Sequence, residues 1–363
     1  MRISYILDTF GRGGKERRCL QVIQGLNKHG VSNIQVIIIN NDVAYKELYE
    51  TTAKIEIIDR KNKGLNQLQT AKVLYALLKD FQPDIVQAWG LMSAGVVLLV
   101  KPVVKFKFLA SYVADNYTPH GVNGIINRVC NQVCKKIISN SKAGLKAYRT
   151  PASKAVVIYN GFNESRYDNR VDKADKKKEL GIGTLYVVSM VAAFWQTKDW
   201  QCYIDTAKLM IRQRKDITFL AIGKGPQWDY YNAQIANDER EYIKMLGGRD
   251  DVDEIFQACD LSVLTSNHGE GVSNSIMESM AWGVPVIASN SGGTPEIIED
   301  GVNGRLIDVQ TSENVSALIA ELIDQPDLLA KMSARATQTI KDRFSLQRMS
   351  KEYVELYKEL GRL

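Results

Sequence analysis

Two glutamates, Glu270 and Glu278, stand out in the run SNHGEGVSNSIMESMAWGVPVIASNSGGTPEIIEDGVNG, residues 266–304. Between them lie Gly271, Val272, Ser273 and Asn274, whose amides would sit at the N-terminus of a helix predicted over 274–282 and closed by Gly283 and Pro285. A helix start favours a diphosphate, because its amides and its dipole both present positive charge. Carboxylates on either side accept hydrogen bonds from hydroxyl-rich groups, one a sugar and the other a ribose. That chemistry is the holding of a nucleotide-diphosphate sugar. The same residues also fit a helix that carries acidic groups near its start for stability alone. A second candidate is the turn GRGGKERR, residues 11–18, where Gly11, Gly13 and Gly14 follow a strand ending at Asp8 and precede a helix starting near Lys15. Glycines there would let amides approach an anion. A tight turn without a ligand explains them as well, and the spacing is not the full G-x-G-x-x-G fingerprint.

Both candidates need strands to carry them. Short β-branched runs at 2–7, 34–39, 55–58, 84–88 and 137–139 alternate with stretches of helical spacing such as 67–81. Continuous apolar runs mark parallel strands buried on both faces, so the pattern predicts βαβ units in two doubly wound α/β domains. In the second series a buried strand at 261–264 delivers the polar loop 266–271, and ligands bind at such carboxyl ends. A polar stretch near 160–183 reads as the linker before a new strand at 186–190. The domains are expected at 1–165 and 180–342, with 343–363 carrying an amphipathic helix that has Met349, Tyr353, Leu356, Tyr357 and Leu360 on one side.

Composition bounds the alternatives. At 363 residues the chain is long enough for two cores, and its 45% hydrophobic and 24% charged content argues against disorder. The five cysteines are odd in number, and Cys130 and Cys134 lack a second ligand pair at zinc spacing, so reduced thiols are expected. The start MRISYILD reads as a strand rather than a signal peptide. The longest apolar run, 94–100, falls short of the ~20 residues a spanning helix needs. Charge is unevenly divided. Residues 1–160 hold 23 Lys and Arg against 10 Asp and Glu, a net of +13, while the rest nets −7. A basic half of this kind suits an anionic membrane surface or a phosphorylated acceptor, or is simply a solvated face. No recognition motif for nucleic acid accompanies it.

The sequence resembles glycosyltransferase family 4, the retaining enzymes of the GT-B fold, over nearly its whole length. The resemblance rests on the spaced glutamates together with GGKE, DIVQAWG (84–90), ISNSKAG (138–144), VIYNGFN (157–163), VAAFWQTKDW and AIGKGP. It implies two Rossmann-like domains facing a cleft, the acceptor on the first and the donor on the second, with the last helix crossing back. It further implies that Glu270 contacts the donor sugar, Glu278 the ribose and Lys198 the diphosphate, with Gly13, Gly14, Gly223 and the 271–274 amides also on the donor side. Lys198 as a plain surface lysine is the alternative. No metal or other cofactor is implied, and Asp251 and Asp253, a D-x-D, are expected to be structural.

Two departures from the family pattern bear on activity. Ala193 stands where the family usually has an arginine ahead of the diphosphate lysine, which turns attention to Arg12, Arg17 or Arg18 as a substitute cation. A histidine usual after the strand FLASY is replaced by Val113, Ala114 and Asp115, making Asp115 a catalytic and acceptor-side candidate, with His120 and His268 as alternatives. Arg17 and Trp89 are further acceptor candidates, and Trp89 and Trp195 are expected to flank the cleft. The resulting expectation is a retaining glycosyltransferase of the hexosyltransferase type. Its donor would be of UDP or GDP type and its acceptor a glycan or lipid-linked precursor in cell-surface polysaccharide assembly. The enzyme would lie in the cytoplasm, peripheral on the inner face of the membrane. A nucleotide-sugar epimerase of the same fold and a non-catalytic partner subunit are the competing readings.

Overall fold

The computed structural model describes residues 1–11, 13–112, 118–268 and 270–362. They form two compact units, Met1–Gly161 with Leu346–Leu363, and Phe162–Ser345.

The first unit is built on a parallel sheet of β1 (Ile3–Leu7), β2 (Ile34–Ile38), β3 (Lys54–Ile57), β4 (Ile85–Trp89), β5 (Lys107–Tyr112), β6 (Lys136–Ser139) and β7 (Ala155–Val157). Their order is β3-β2-β1-β4-β5-β6-β7, so the winding direction reverses between β1 and β4. Every residue of β1, β2 and β4 is buried, which is why these strands read as unbroken apolar runs. Helices α1 (Gly14–Lys28), α2 (Gln67–Phe81), α3 (Leu91–Val100), α4 (Gly121–Val133) and α5 (Lys142–Ala147) connect them. Separate apolar clusters form, one joining Tyr5 and Trp89 to α1, the other joining Ile6, Val86 and Ala88 to α2 and α3. The alternation of Tyr5 and Ile6 between the clusters is the period-two geometry of a strand.

The second unit repeats the plan. Its sheet runs β10-β9-β8-β11-β12-β13, from β8 (Tyr186–Val191), β9 (Ile217–Ile222), β10 (Ile243–Gly247), β11 (Leu261–Leu264), β12 (Val286–Ser289) and β13 (Gly304–Ile307). The helices are α6 (Lys173–Glu179), α7 (Trp200–Gln213), α8 (Trp228–Ala233), α9 (Val252–Ala258), α10 (Asn274–Ala281), α11 (Ser312–Ile323) and α12 (Pro326–Arg343). Here the reversal lies between β8 and β11.

The last helix, α13 (Leu346–Arg362), belongs to the first unit. Its Met349, Tyr353, Leu356, Tyr357 and Leu360 are buried in the cluster that holds α1. The buried hydroxyls of Tyr353 and Tyr357 both find partners. The Tyr357 hydroxyl donates to Gln87 Oε1 at 2.5 Å and lies 2.8 Å from the Tyr5 hydroxyl. The first segment of the first unit ends at Gly161, and residues 162–179 belong to the second unit. The Phe162 amide donates to the Phe344 carbonyl at 2.7 Å, and α6 is tied down where Lys176 meets Asp251 and Glu254. All five cysteines are free and buried.

Candidate active site

The loops that follow β8 and β11 leave the second sheet at its reversal point, where open α/β sheets bind ligands. They are clipped together. Asn267 N donates to the Thr197 carbonyl at 3.0 Å, Asp199 N to the Thr265 carbonyl at 3.1 Å, and Thr265 Oγ1 back to the Asp199 carbonyl at 2.8 Å. Lys198 and Ser266 form an antiparallel bridge in the middle. The clip sets Lys198 Nζ on Glu270 Oε1, which also accepts from Ser266 Oγ at 2.9 Å. Side-chain exposure is 13% for Lys198 and 24% for Glu270, so both keep an open side. Burial pushes the Lys198 ammonium down to about 7.

The backbone of Glu270 is held from a third direction. Gly293 N donates to the Glu270 carbonyl at 2.6 Å. Gly292 has φ +58°, and a Cβ there would collide with the Glu270 main chain, so only glycine fits. Gly223 is likewise required by close approach, since a Cβ on it would strike the Ala192 carbonyl. Trp195, 54% exposed, accepts the Lys198 amide at 2.9 Å through its carbonyl.

Past Glu270 the chain runs through Gly271, Val272 and Ser273 into α10. Ser273 occupies the N-cap without a side-chain capping bond, and its hydroxyl lies 3.1 Å from Ser275 Oγ instead. Glu278 is buried and its Oε1 accepts from Arg166 Nη1 at 3.0 Å. Arg166 also forks onto Asp253, with Nε donating to Oδ2 at 2.6 Å and Nη2 to Oδ1. Burial opposes the Arg166 charge, but the two carboxylates outweigh it and its pKa is raised. Asp251 accepts from Lys176 Nζ at 2.6 Å and from Arg249 Nε at 2.7 Å. Asp251 and Asp253 are therefore committed to cations, and no group of three metal-ligating side chains occurs among the described residues.

The remaining candidates lie on the first unit. Trp89 corrects the expectation of an acceptor contact: it is 0% exposed, wedged between Tyr5 and Tyr353, with its ring in the core and no surface to offer a ligand. Arg18 is likewise no substitute cation, because it is buried and donates to Asn160 Oδ1, the Ile158 carbonyl and the Tyr353 hydroxyl. Gly13 lies against the Glu16 carboxylate, so the positive end of α1 already faces an anion of its own chain. Gly14 is exposed and Arg17 is half-buried on the same turn. Asp115, with Arg12, Val113 and Ala114, lies outside the described residues. His120 is the N-cap of α4, and His268 is exposed on the Glu270 loop.

Sequence reasoning missed Arg166, Asp199, Gly292 and Gly293. The paired glycines were visible as SGG inside the glutamate run, whereas Arg166 gave no local sign because its partners are distant in sequence.

Comparison with known proteins settles the family. The Glycosyltransferase Family 4 profile matches residues 12–166 and the Glycosyl transferases group 1 profile matches residues 172–339. The chain is a glycosyltransferase of family 4. Among curated relatives, this family 4 chain is 23% identical over 350 residues to the lipopolysaccharide core biosynthesis glycosyltransferase LpsE of Rhizobium meliloti, covering 96% of each. It is 28% identical over 211 residues to the UDP-Gal:alpha-D-GlcNAc-diphosphoundecaprenol alpha-1,3-galactosyltransferase of Escherichia coli, covering 56% of this chain and 54% of that one. The structure of HepE from Anabaena in complex with UDP superimposes with a TM-score of 0.86 at 22% identity, covering 99% of this chain and 100% of that one. A complex of the same protein with UDP-glucose gives 0.84. The fold is GT-B, and the enzyme is a glycosyltransferase.

Proposed function

We propose that this family 4 enzyme moves a hexose from a UDP-type donor, with retention of anomeric configuration, to a glycan or lipid-linked acceptor in cell-surface polysaccharide assembly. The reading rests on one observation above others, the joining of Lys198 to Glu270 at the reversal point of the second sheet. The diphosphate binds between Lys198 and the start of α10, where ammonium and helix dipole take up charge as the leaving group departs. Glu270 accepts hydrogen bonds from the sugar hydroxyls, and Glu278, steadied by Arg166, accepts from the ribose. With Ala193 in the arginine position and Arg18 committed elsewhere, Lys198 carries most of this neutralisation. Transfer proceeds without a divalent ion, since Asp251 and Asp253 are already paired. The names of the relatives support a UDP donor and a surface-glycan acceptor, and the family resemblance supports retention.

The first unit binds the acceptor beside an anionic membrane surface, as the net +13 of residues 1–160 suggests; no helix among the described residues is long and apolar enough to cross a membrane. A thermal-shift series with UDP, GDP and ADP tests the donor, because a ligand that binds only the folded chain raises its melting temperature. UDP is expected to give the largest rise, and no rise with any of the three defeats the reading. The anomeric proton of the product, followed by NMR, tests retention.

A further inference from the structure

Gln310, just past β13, ties together loops that the sequence keeps far apart. Its Nε2 donates to Asp199 Oδ2 at 2.5 Å, while its Oε1 accepts from Ser289 Oγ and from Ser266 N at 3.2 Å. The partners fix the orientation of the amide, since a carboxylate can only accept and a backbone N–H can only donate. One side chain therefore joins the loop after β8, the loop after β11 and the end of β12. Each partner has a second hold on the site. Asp199 follows Lys198 and caps α7 through Oδ1, which accepts from Cys202 N at 3.0 Å. Ser266 bridges Lys198 through its backbone and reaches Glu270 Oε1 through its hydroxyl. Ser289 ends β12, and the turn beyond it carries Gly292 and Gly293 against the Glu270 main chain. The direct bonds between the β8 and β11 loops join them only to each other; Gln310 adds the tie to β12 and β13. Its neighbours Asp308 and Val309 are exposed, whereas Gln310 is half-buried.

We propose that Gln310 is a positioning residue for the donor, setting the spacing of Lys198 and Glu270 by acting through Asp199 and Ser266. This rests on the reading of that pair as the donor site. The position calls for an amide, which gives a hydrogen bond at one end and accepts at the other. An ionised glutamate only accepts and would press a second carboxylate onto Asp199. A protonated carboxyl has the shape of the amide and the same pattern, one O–H to give and one oxygen to accept with. Asp199 beside it raises the pKa of an introduced carboxyl, because like charges disfavour ionisation and the two groups share a proton. Gln310→Glu should thus misalign the pair when ionised and restore it when protonated.

The test follows the Kd of UDP-glucose by isothermal titration calorimetry on the full chain, with the Lys198 Cε chemical shift titrated by NMR alongside. At pH ~7.5, Gln310→Glu and Gln310→Leu should each bind about tenfold more weakly than the wild type at the same pH. Toward pH ~5.5 the Gln310→Glu affinity should return to within about threefold of the wild type, while Gln310→Leu stays weak. A purely structural role would lower both melting temperatures and leave Kd and its pH profile in the folded chains alone. In the NMR titration the Lys198 midpoint, held at about 7 by burial in the wild type, should climb toward the ordinary 10.5 in Gln310→Leu as the ammonium comes free of its seat. The proposal is overturned if folded Gln310→Glu binds UDP-glucose as the wild type does near neutrality, if acid brings no recovery, or if Lys198 titrates alike in all three proteins. A wild type that binds no UDP-glucose removes the donor reading instead, and the Lys198 titration then decides the positioning role by itself.

Discussion

Lys198 offers the sharpest test, because its charge is set by burial and its task is to hold a diphosphate. With a pKa of about 7 the side chain is half charged near neutrality. About one molecule in eleven would be charged at pH ~8 and about one in a hundred at pH ~9. If the ammonium form alone binds the donor, the Kd for UDP-glucose weakens about fivefold between pH ~7 and ~8 and about fiftyfold by pH ~9. UDP-glucose suits the measurement because its diphosphate is esterified at both ends and does not titrate in this range. Isothermal titration calorimetry across the range gives the profile, and buffers of different ionisation enthalpy give the proton taken up on binding. Lys198→Arg keeps its charge at every one of these pH values, so its affinity should be flat. A flat wild-type profile would show that Glu270 holds the lysine charged despite burial, and would refute the reasoning. The same shift acts on stability. The folded value lies below the ordinary 10.5, so the unfolded chain binds more protons between about 7 and 10.5. Stability should therefore rise with pH through that window and fall back as the pH drops toward 7.

Other substitutions probe the frame around the site. Arg166→Ala removes the cation shared by the buried Glu278 and the partly buried Asp253 and should cost up to about 3 kcal/mol in urea unfolding, the low end of the range for breaking a buried ion pair; an unchanged midpoint would mean the pair contributes nothing. Gly292→Ala pushes on the Glu270 main chain, and a displacement of that size should lower kcat by roughly 100-fold in a transfer assay. Tyr357→Phe deprives Gln87 and Tyr5 of a buried partner and should lower stability by about 1–3 kcal/mol in thermal melts, with donor affinity unchanged.

What the sequence disclosed depended on how local the determinants were. The central strands were legible because both faces of each are buried, and α10 was legible because the glutamates, its start and its closing Gly283 lie in one short run. Trp89 could not be placed that way. A tryptophan at the carboxyl end of a strand faces ligand or core depending on what covers it, and its cover, Tyr353, arrives near the end of the chain. Arg166 shows the same limit, since its partners Asp253 and Glu278 meet only after four strands of the second sheet are in place.

The route of the chain through the fold sets an order of events during synthesis. Phe162 and Ser345 lie side by side as a parallel bridge, so the second unit is a self-contained insertion between α13 and the rest of the first. At ~5–20 residues per second, the ribosome needs about 10–40 s to make the intervening segment. Throughout that interval the earliest-made unit stands incomplete, with Tyr5, Cys19 and Trp89 lacking the helix that covers them. The later unit has every residue it needs and can fold first. A chain cut short by a premature stop near its end would therefore keep its donor half intact and leave the half translated first as the target of chaperones and proteases.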